Sequence, residues 1–546
     1  MRTITPSFIL ELPLKTSKQE EKELLSRFES ARNIYNTILR ESKNRAMLVK
    51  QSKDFQKAKK INKSDKKNKT TSKSKNSKIK TELFKKARDN YDFNEYSLHK
   101  FACITRHSLK NNLDIHTVQK LATRAFRATE KILYGTAKNI RYKSYNQLDS
   151  IESKNNEAGI RWRNNKVEWN KLSLEPIIDE KDEVIRYGLK HRVKYSRILR
   201  KVINGKNRFY VQLVLEGKPF IKEKNKLGVG KVCFDLGPST IAIVSLNQEN
   251  NENKFNAKLL TFCSELDTKQ KRVARYQRRI ERQRRLNNPQ NYLENNKIKK
   301  GKSKWKKSNH QLENQKELTE LQRTIAAHRK SLQGRLVNET LRMGNSFQTE
   351  KISKKWFQKL YGKSVGIRAP AMFTSGLKRK AESAGASYTE FPTQTTKLSQ
   401  TCVCSRQKKK KLSERVHDCE CGVHCQRDLF SAFLGLFVEK LENTGKEEVK
   451  YILQTGQAER LWPSVDKLLQ TVWRDEVNQS TSRGLCPSSY GRPKANHSQS
   501  GSSVERGKKI IAKFKVQDVV FVLPKNYKTE ESLKANEVFP LEPTGF

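Results

Sequence analysis

The chain has 546 residues, 35% hydrophobic and 31% charged, with 113 Lys and Arg against 57 Asp and Glu and a formal charge of +56. Charge this lopsided suits a polyanion, because neutralising phosphates releases their counterions. No apolar run approaches the ~20 residues of a membrane span, the basic residues are spread over many segments rather than one amphipathic helix, and the start, MRTITPSFILELPLKTS, has no signal-peptide pattern, which argues against a membrane or secreted protein. Residues 1–15 read as a strand and 19–40 as a helix, with Leu24, Phe28, Ala31, Tyr35 and Ile38 on one face. The lysine-rich stretch 59–81 has almost no large apolar residue and reads as a basic loop or solvated helix end. A further helix aligns Val118, Leu121, Ala125 and Ile132, so a helical insert follows a lone strand. Residues 159–220 alternate around Asn-Asn and Asn-Gly, which suggests hairpins in a small sheet. The first strand is expected to join that sheet, since an isolated strand leaves its backbone groups unpaired.

From residue 231 the pattern changes. Three strand-like runs cover 231–263, followed by an arginine-rich helix with Leu266, Val273, Tyr276 and Ile280 in register. Residues 287–310 are a polar break, and a helix over about 311–342 carries Leu318, Leu321, Ile325, Leu332 and Leu336. A short strand, SFQTEK, a helix at about 369–384 and a strand, ASYTEF, come next. A cysteine cluster interrupts, and the chain resumes as an apolar helix, QRDLFSAFLGLFVEKL. The tail has a helical pattern near 460–474 and a Ser/Gly-rich stretch, HSQSGSSVERGKK, that reads as a loop.

This order of a three-strand meander, helix, strand, helix, strand and helix is that of an RNase H-like α/β domain. An acid on its first strand, one ending its fourth and one on its last helix converge there. Asp235, Glu350 and Asp428 stand at those places. Three converging carboxylates repel one another unless divalent cations bridge them, and hard cations such as Mg²⁺ take oxygen ligands. Each acid also has an ordinary explanation: Asp235 can start a Gly-Pro turn, Glu350 can be a surface charge, Asp428 can cap its helix. Glu390 competes for the middle position. Glu350 is preferred because it ends the strand after the long helix.

Five of the nine cysteines lie within 402–425, which points to a metal in a reducing compartment rather than a disulfide scaffold. Cys402 and Cys404, then Cys419 and Cys421, form two C-x-C pairs separated by 14 residues, a set suited to one structural Zn²⁺. His417, His424 and Cys425 are alternative ligands. Lysines 408–411 are expected to point outward at the tip of this ribbon.

The stretches FDLGPSTIAIVSL, FQTEKIS and TKLSQTCVCSRQKKKKLSERVHDCECGVHCQRDLFSAFLG resemble the TnpB family of transposon-encoded nucleases and the compact type V CRISPR effectors descended from it. The motif resemblance covers about 230–440 and is architectural over 1–220. It implies an α+β multidomain chain. A wedge β domain would span 1–15 and 145–225, interrupted by a helical recognition insert at 16–144. A RuvC-like nuclease domain would span 226–395 and 426–445, with a zinc ribbon at 396–425 and a partly disordered extension at 446–546. The implied activity is RNA-guided DNA cleavage at a site of Asp235, Glu350 and Asp428 holding two Mg²⁺ or Mn²⁺ ions. The implied partners are a guide RNA and double-stranded target DNA with a flanking motif, and the implied location is the cytoplasm of a prokaryote, at the nucleoid. The resemblance admits a transposon protein or a CRISPR effector, and a monomer or a homodimer. A silent guide-bound repressor would be expected to have lost a carboxylate. A guide-independent RNase H-like transposase or resolvase would need no such basic insert.

Overall fold

The structure is a computed structural model that describes residues 5–61, 72–108, 113–249, 252–301, 303–411, 413–441 and 450–482. Most of the tail, with Cys486 and the Ser/Gly-rich stretch, lies outside the described residues, as does the middle of the lysine-rich segment. The chain forms two units, one up to Phe220 and one from Ile221. No helix among the described residues is long and apolar enough to cross a membrane.

In the first unit, β1 (Ser7–Lys15) buries Phe8, Leu10, Leu12 and Leu14 on one face. Five helices follow: α1 (Lys18–Gln51), α2 (Lys53–Lys60), α3 (Ser72–Asp89), α4 (Glu95–Ser108) and α5 (Ile115–Leu133). Ser17 and Glu20 close a capping box at the start of α1. The strands β2 (Ser150–Glu152), β3 (Ile160–Arg163), β4 (Lys166–Trp169) and β5 (Leu172–Pro176) come next, then α6 (Glu183–Leu189), β6 (Val193–Ile203) and β7 (Lys206–Glu216). They form one seven-stranded sheet in the order β2-β6-β7-β1-β5-β4-β3. The first strand therefore does join the later hairpins, pairing with β7 on one side and β5 on the other. The hairpins turn where expected. Asn164 and Asn165 have φ of 48° and 56°, and Asn204 and Gly205 have 50° and 74°, the left-handed pairs that a two-residue hairpin needs.

Helices and sheet of this unit share one core. Asp114 caps α5 through the Thr117 amide at 2.8 Å and also accepts from the Trp169 indole of β4 at 2.9 Å. Arg27 of α1 is buried because its guanidinium donates to the Trp169 carbonyl at 2.7 Å and lies 4.6 Å from the indole centre.

In the second unit, β8 (Lys231–Leu236), β9 (Thr240–Glu249) and β10 (Glu252–Thr261) form an antiparallel meander. Two long helices, α7 (Asp267–Leu286) and α8 (Asn309–Leu341), lead to β11 (Ser346–Glu350). Then come α9 (Lys354–Arg368), α10 (Pro370–Ser383), β12 (Ser387–Phe391) and α11 (Thr393–Thr396). The sheet order is β10-β9-β8-β11-β12, with β11 parallel to β8 and β12 parallel to β11. A short hairpin, β13 (Val416–Asp418) and β14 (His424–Gln426), runs into α12 (Arg427–Gly435). A second hairpin, β15 (Val438–Leu441) and β16 (Lys450–Leu453), precedes α13 (Thr455–Ser482).

The sheet is covered on both faces. Val232, Phe234 and Leu236 pack with Leu336, Val337 and Leu341 of α8 and with Phe373, Leu377 and Ala381 of α10. Cys233, Ala242 and Val244 pack with Leu429, Phe430 and Phe433 of α12 and with Val465, Leu469 and Trp473 of α13. The expected helix near 460–474 is thus longer and belongs to this core. On α7 only Val273 is buried; Tyr276 and Ile280 keep contact with solvent, so most of that helix is a basic surface.

Candidate metal centre

Strand parity decides which acids can meet. Along β8, Val232, Phe234 and Leu236 face α8 and α10, so Cys233 and Asp235 face α12. Along β11, Phe347 lies in the same cluster as Phe234, and Thr349 donates to the Phe234 carbonyl at 2.8 Å. Gln348 and Glu350 therefore face the other way, and Gln348 donates to the Gly435 carbonyl of α12 at 2.6 Å. Asp428 lies in the first turn of α12. All three candidate acids belong to one face. Glu390 does not: it is paired with Thr349, one position before Glu350, so it points to the opposite face, where it is exposed beside Tyr388.

The acids affect one another. The Asp235 carboxyl, enclosed but touched by solvent, is pushed well above the usual carboxylate range by its enclosure, then by the charges of Asp428 and Glu350. Glu350 is raised to about 7 by burial, opposed by hydrogen bonds from the Leu398 amide and the Thr396 hydroxyl. Asp428, 5% exposed, is held by Arg427 at 3.1 Å and faces Arg415 at 3.8 Å. A cleft of about 370 Å³ opens beside Glu350, lined by Thr393, Gln394, Lys397, Ser399 and Gln400. Carboxylates gathered against their own repulsion are a donor set that fits a hard divalent cation.

What sequence reasoning missed is how close α12 comes. A Cβ on Gly435 would lie 2.2 Å from the Cys233 sulfur, so any larger residue here forces that sulfur or the helix to move. Cys233 is buried directly against α12, in the same core as Ala242 and Val244. Two small residues facing each other across the core leave no mark on hydrophobic periodicity.

The four ribbon cysteines come together as expected. Their sulfurs all lie within 4.8 Å of one another, and they are the one such metal-ligand group among the described residues. Cys402 and Cys421 are 3.5 Å apart and Cys404 and Cys419 3.7 Å. A tetrahedral site with Zn–S bonds of ~2.3 Å needs sulfurs about 3.8 Å apart, so the set fits zinc and is too open for disulfides. At Cys419 burial opposes ionisation, but hydrogen bonds from the Cys421 amide and the neighbouring thiols bring it down to about 7.

The alternative ligands have other partners. Cys425 is fully buried in the core. His424 pairs with Asp418 at 3.1 Å. His417 stacks on Phe430 with ring centres 4.1 Å apart, and burial, then the Lys410 charge, lowers it to about 3. One expectation for the ribbon needs correction. Lys410 does not point outward with Lys408 and Lys409; its ammonium turns in to the His417 ring. Cys402 is 1% exposed and joins the core under α12. The ribbon therefore grows from the base of the sheet, and Gln426 on β14 caps α12 by accepting from the Leu429 amide at 2.6 Å.

No family model matches the sequence, and no curated protein does. Among solved structures, the chain is similar to a cryo-EM structure of a Cas12f1–sgRNA–target DNA complex, with a TM-score of 0.39 and 14% identity over 78% of this chain and 98% of that one. It is also similar to a cryo-EM structure of a CRISPR-Cas12f ternary complex, with a TM-score of 0.26 and 13% identity over 81% of this chain and 100% of that one.

Proposed function

We propose that this chain is an RNA-guided DNA endonuclease with a RuvC-type site on its five-stranded sheet. It would hold a structured guide RNA, read a short motif beside a double-stranded target and hydrolyse phosphodiester bonds. The observation that carries the chemistry is the common face of Asp235, Glu350 and Asp428, with Asp235 raised by burial first and then by the charges of Asp428 and Glu350. These residues would hold two Mg²⁺ or Mn²⁺ ions. Bound there, such ions supply an activated water and a stabilised leaving oxygen for phosphodiester hydrolysis. The protein's own part is positional. Arg427 and Arg415 hold Asp428, while Thr396 and the Leu398 amide hold Glu350. Lys397 lines the cleft beside Glu350 and offers a cation to a phosphate. Cys402, Cys404, Cys419 and Cys421 would bind the structural zinc.

The guided part of the reading rests on the resemblance of the motifs and on the charge of +56. In it, the sheet formed by 1–15 and 145–225 is the wedge and 16–144 the recognition insert. The nuclease domain spans 226–395 and 426–445, with the ribbon at 396–425 and the extension at 446–546. Guide pairing would read sequence, while protein contacts read heteroduplex shape and the flanking motif.

Two measurements test this. The chain is expressed with its native flanking DNA, and the RNA that purifies with it is sequenced. A repeat joined to varied spacers makes it a CRISPR effector, and one RNA from the edge of its own locus makes it a transposon-type nuclease. No enriched RNA removes the guided reading. Asp235→Ala is expected to abolish cutting and keep RNA and target binding; cutting at near wild-type rate would remove Asp235 from the site.

A further inference from the structure

Helix α9 begins four residues after Glu350, and none of its 15 residues is buried. It nevertheless carries Trp356, Phe357, Leu360 and Tyr361 within two turns. Trp356 is 45% exposed and Leu360 49%. The three rings form their own cluster, with centres 6.0 Å apart for Trp356 and Phe357, 6.4 Å for Trp356 and Tyr361 and 6.2 Å for Phe357 and Tyr361. The helix is fastened at its other end. Arg329 donates to the Gly366 and Ile367 carbonyls, and Gln333 to that of Arg368. Tyr361, at φ −124° and ψ 32°, breaks the helix between the fastened half and the half with the rings.

A helical stretch this short is marginal in water without packing, and aromatic surface left in solvent forgoes its burial energy. Charge indicates what covers it. Lys351, Lys354, Lys355, Lys359 and Lys363 flank the rings along the chain, and no Asp or Glu occurs from Lys351 to Arg368. A second copy of this basic chain would set these lysines against like charge. A single-stranded nucleic acid brings phosphates for the lysines and base faces for the rings. Six residues of chain place Trp356 within about 20 Å of Glu350.

We propose that the N-terminal half of α9 is a stacking platform on which bases of a single strand lie beside the carboxylates; this rests on the nuclease reading above. The test uses full-length Asp235→Ala protein and oligothymidylate strands carrying 5-iododeoxyuridine, which cross-links to stacked aromatic rings under ultraviolet light. The expected adducts fall in the tryptic peptides Trp356–Lys359 and Leu360–Lys363. They fall sharply in W356A/Y361A, where Phe357 is the one ring left, and persist in W356F/Y361F. Affinity of W356A/Y361A for oligothymidylate should fall about tenfold or more, with little change for an abasic strand of equal length. Adducts confined to other peptides would overturn the platform, as would an equal fall in affinity for both strands. So would a change from dimer to monomer in W356A/Y361A with strand affinity kept, which would assign the rings to a second copy. Whether Asp235→Ala still cuts is a separate result, so failure of the platform and failure of the nuclease reading are told apart.

Discussion

At Gly435 one missing methyl group sets the distance between α12 and β8. Ala would normally favour a helix by about 1 kcal/mol over Gly. Here its Cβ would meet the Cys233 sulfur at 2.2 Å, and a clash in a packed core costs about 1–3 kcal/mol. The clash wins, and because Asp428 is on the same helix, the shift displaces a carboxylate. Gly435→Ala is expected to lower the melting temperature and to cut cleavage at least tenfold. Cys233→Ala in the same chain removes the opposing sulfur and should restore part of both. A cycle of the four proteins in a cleavage assay checks this; independent effects would mean that the two residues do not bear on each other.

Glu350 gives a second residue-scale expectation. Its carboxyl is raised from 4.5 to about 7, so the folded state binds this proton more tightly than the unfolded state does. Its contribution to stability is therefore most favourable below pH 4.5, falls away as pH rises towards 7, and stays absent above. The change is on the order of 3 kcal/mol at most. Glu350→Gln should therefore flatten the fall in stability across that window in metal-free protein. Denaturant melts of both proteins in EDTA at several pH values measure it. Millimolar magnesium should stabilise the wild type at neutral pH more than the variant, since a cation binds the ionised form.

Among the elements, the ribbon and α12 act as one piece. β14 runs into the helix without a loop, Gln426 caps it, and the Arg427 amide bonds the Arg415 carbonyl at 2.9 Å across the ribbon base. Folding of the ribbon by zinc therefore reaches the turn that holds Asp428. Cys402→Ser should lower bound zinc below one ion per chain and weaken cleavage, although no candidate acid is altered. Unchanged zinc by metal analysis would remove Cys402 from the set. How much of this was legible differs by element. Asp235 stands out because a carboxylate interrupts an apolar strand, and the C-x-C pairs announce themselves by spacing. The hairpin turns follow from Asn-Asn and Asn-Gly, which tolerate positive φ. Helix α13 was only half legible, since its place against α12 depends on Trp473 and Leu469 meeting residues some forty positions earlier. The inward turn of Lys410 was not legible at all: a lysine in a run of four reads as surface until a buried His417 faces it.

For the whole molecule the governing quantity is charge. The arginines that packing needs are mostly paired: Arg27 with Glu23, Arg45 with Glu41, Arg197 with Glu152 and Arg200 with Asp149. The excess is elsewhere. Helix α7 alone carries nine basic residues against two acids. Such a surface repels itself and is stabilised by a polyanion, whose binding must weaken with salt as counterions cease to be released. If α7 neutralises phosphates, replacing Lys271, Arg272, Arg275, Arg278, Arg279 and Arg282 with Gln should leave the fold intact, because none of them is buried. It should reduce the slope of log affinity against log salt by about 0.9 for each duplex phosphate that the variant no longer neutralises, or about 0.7 on a single strand. Titrations of wild type and variant from about 50 to 200 mM salt give both slopes, and over that range the affinity of a protein that neutralises 6–10 phosphates falls by roughly 10³–10⁵. Equal slopes would mean that this arginine-rich face does not touch the nucleic acid, and the phosphates would then be held by the lysines of the helical insert.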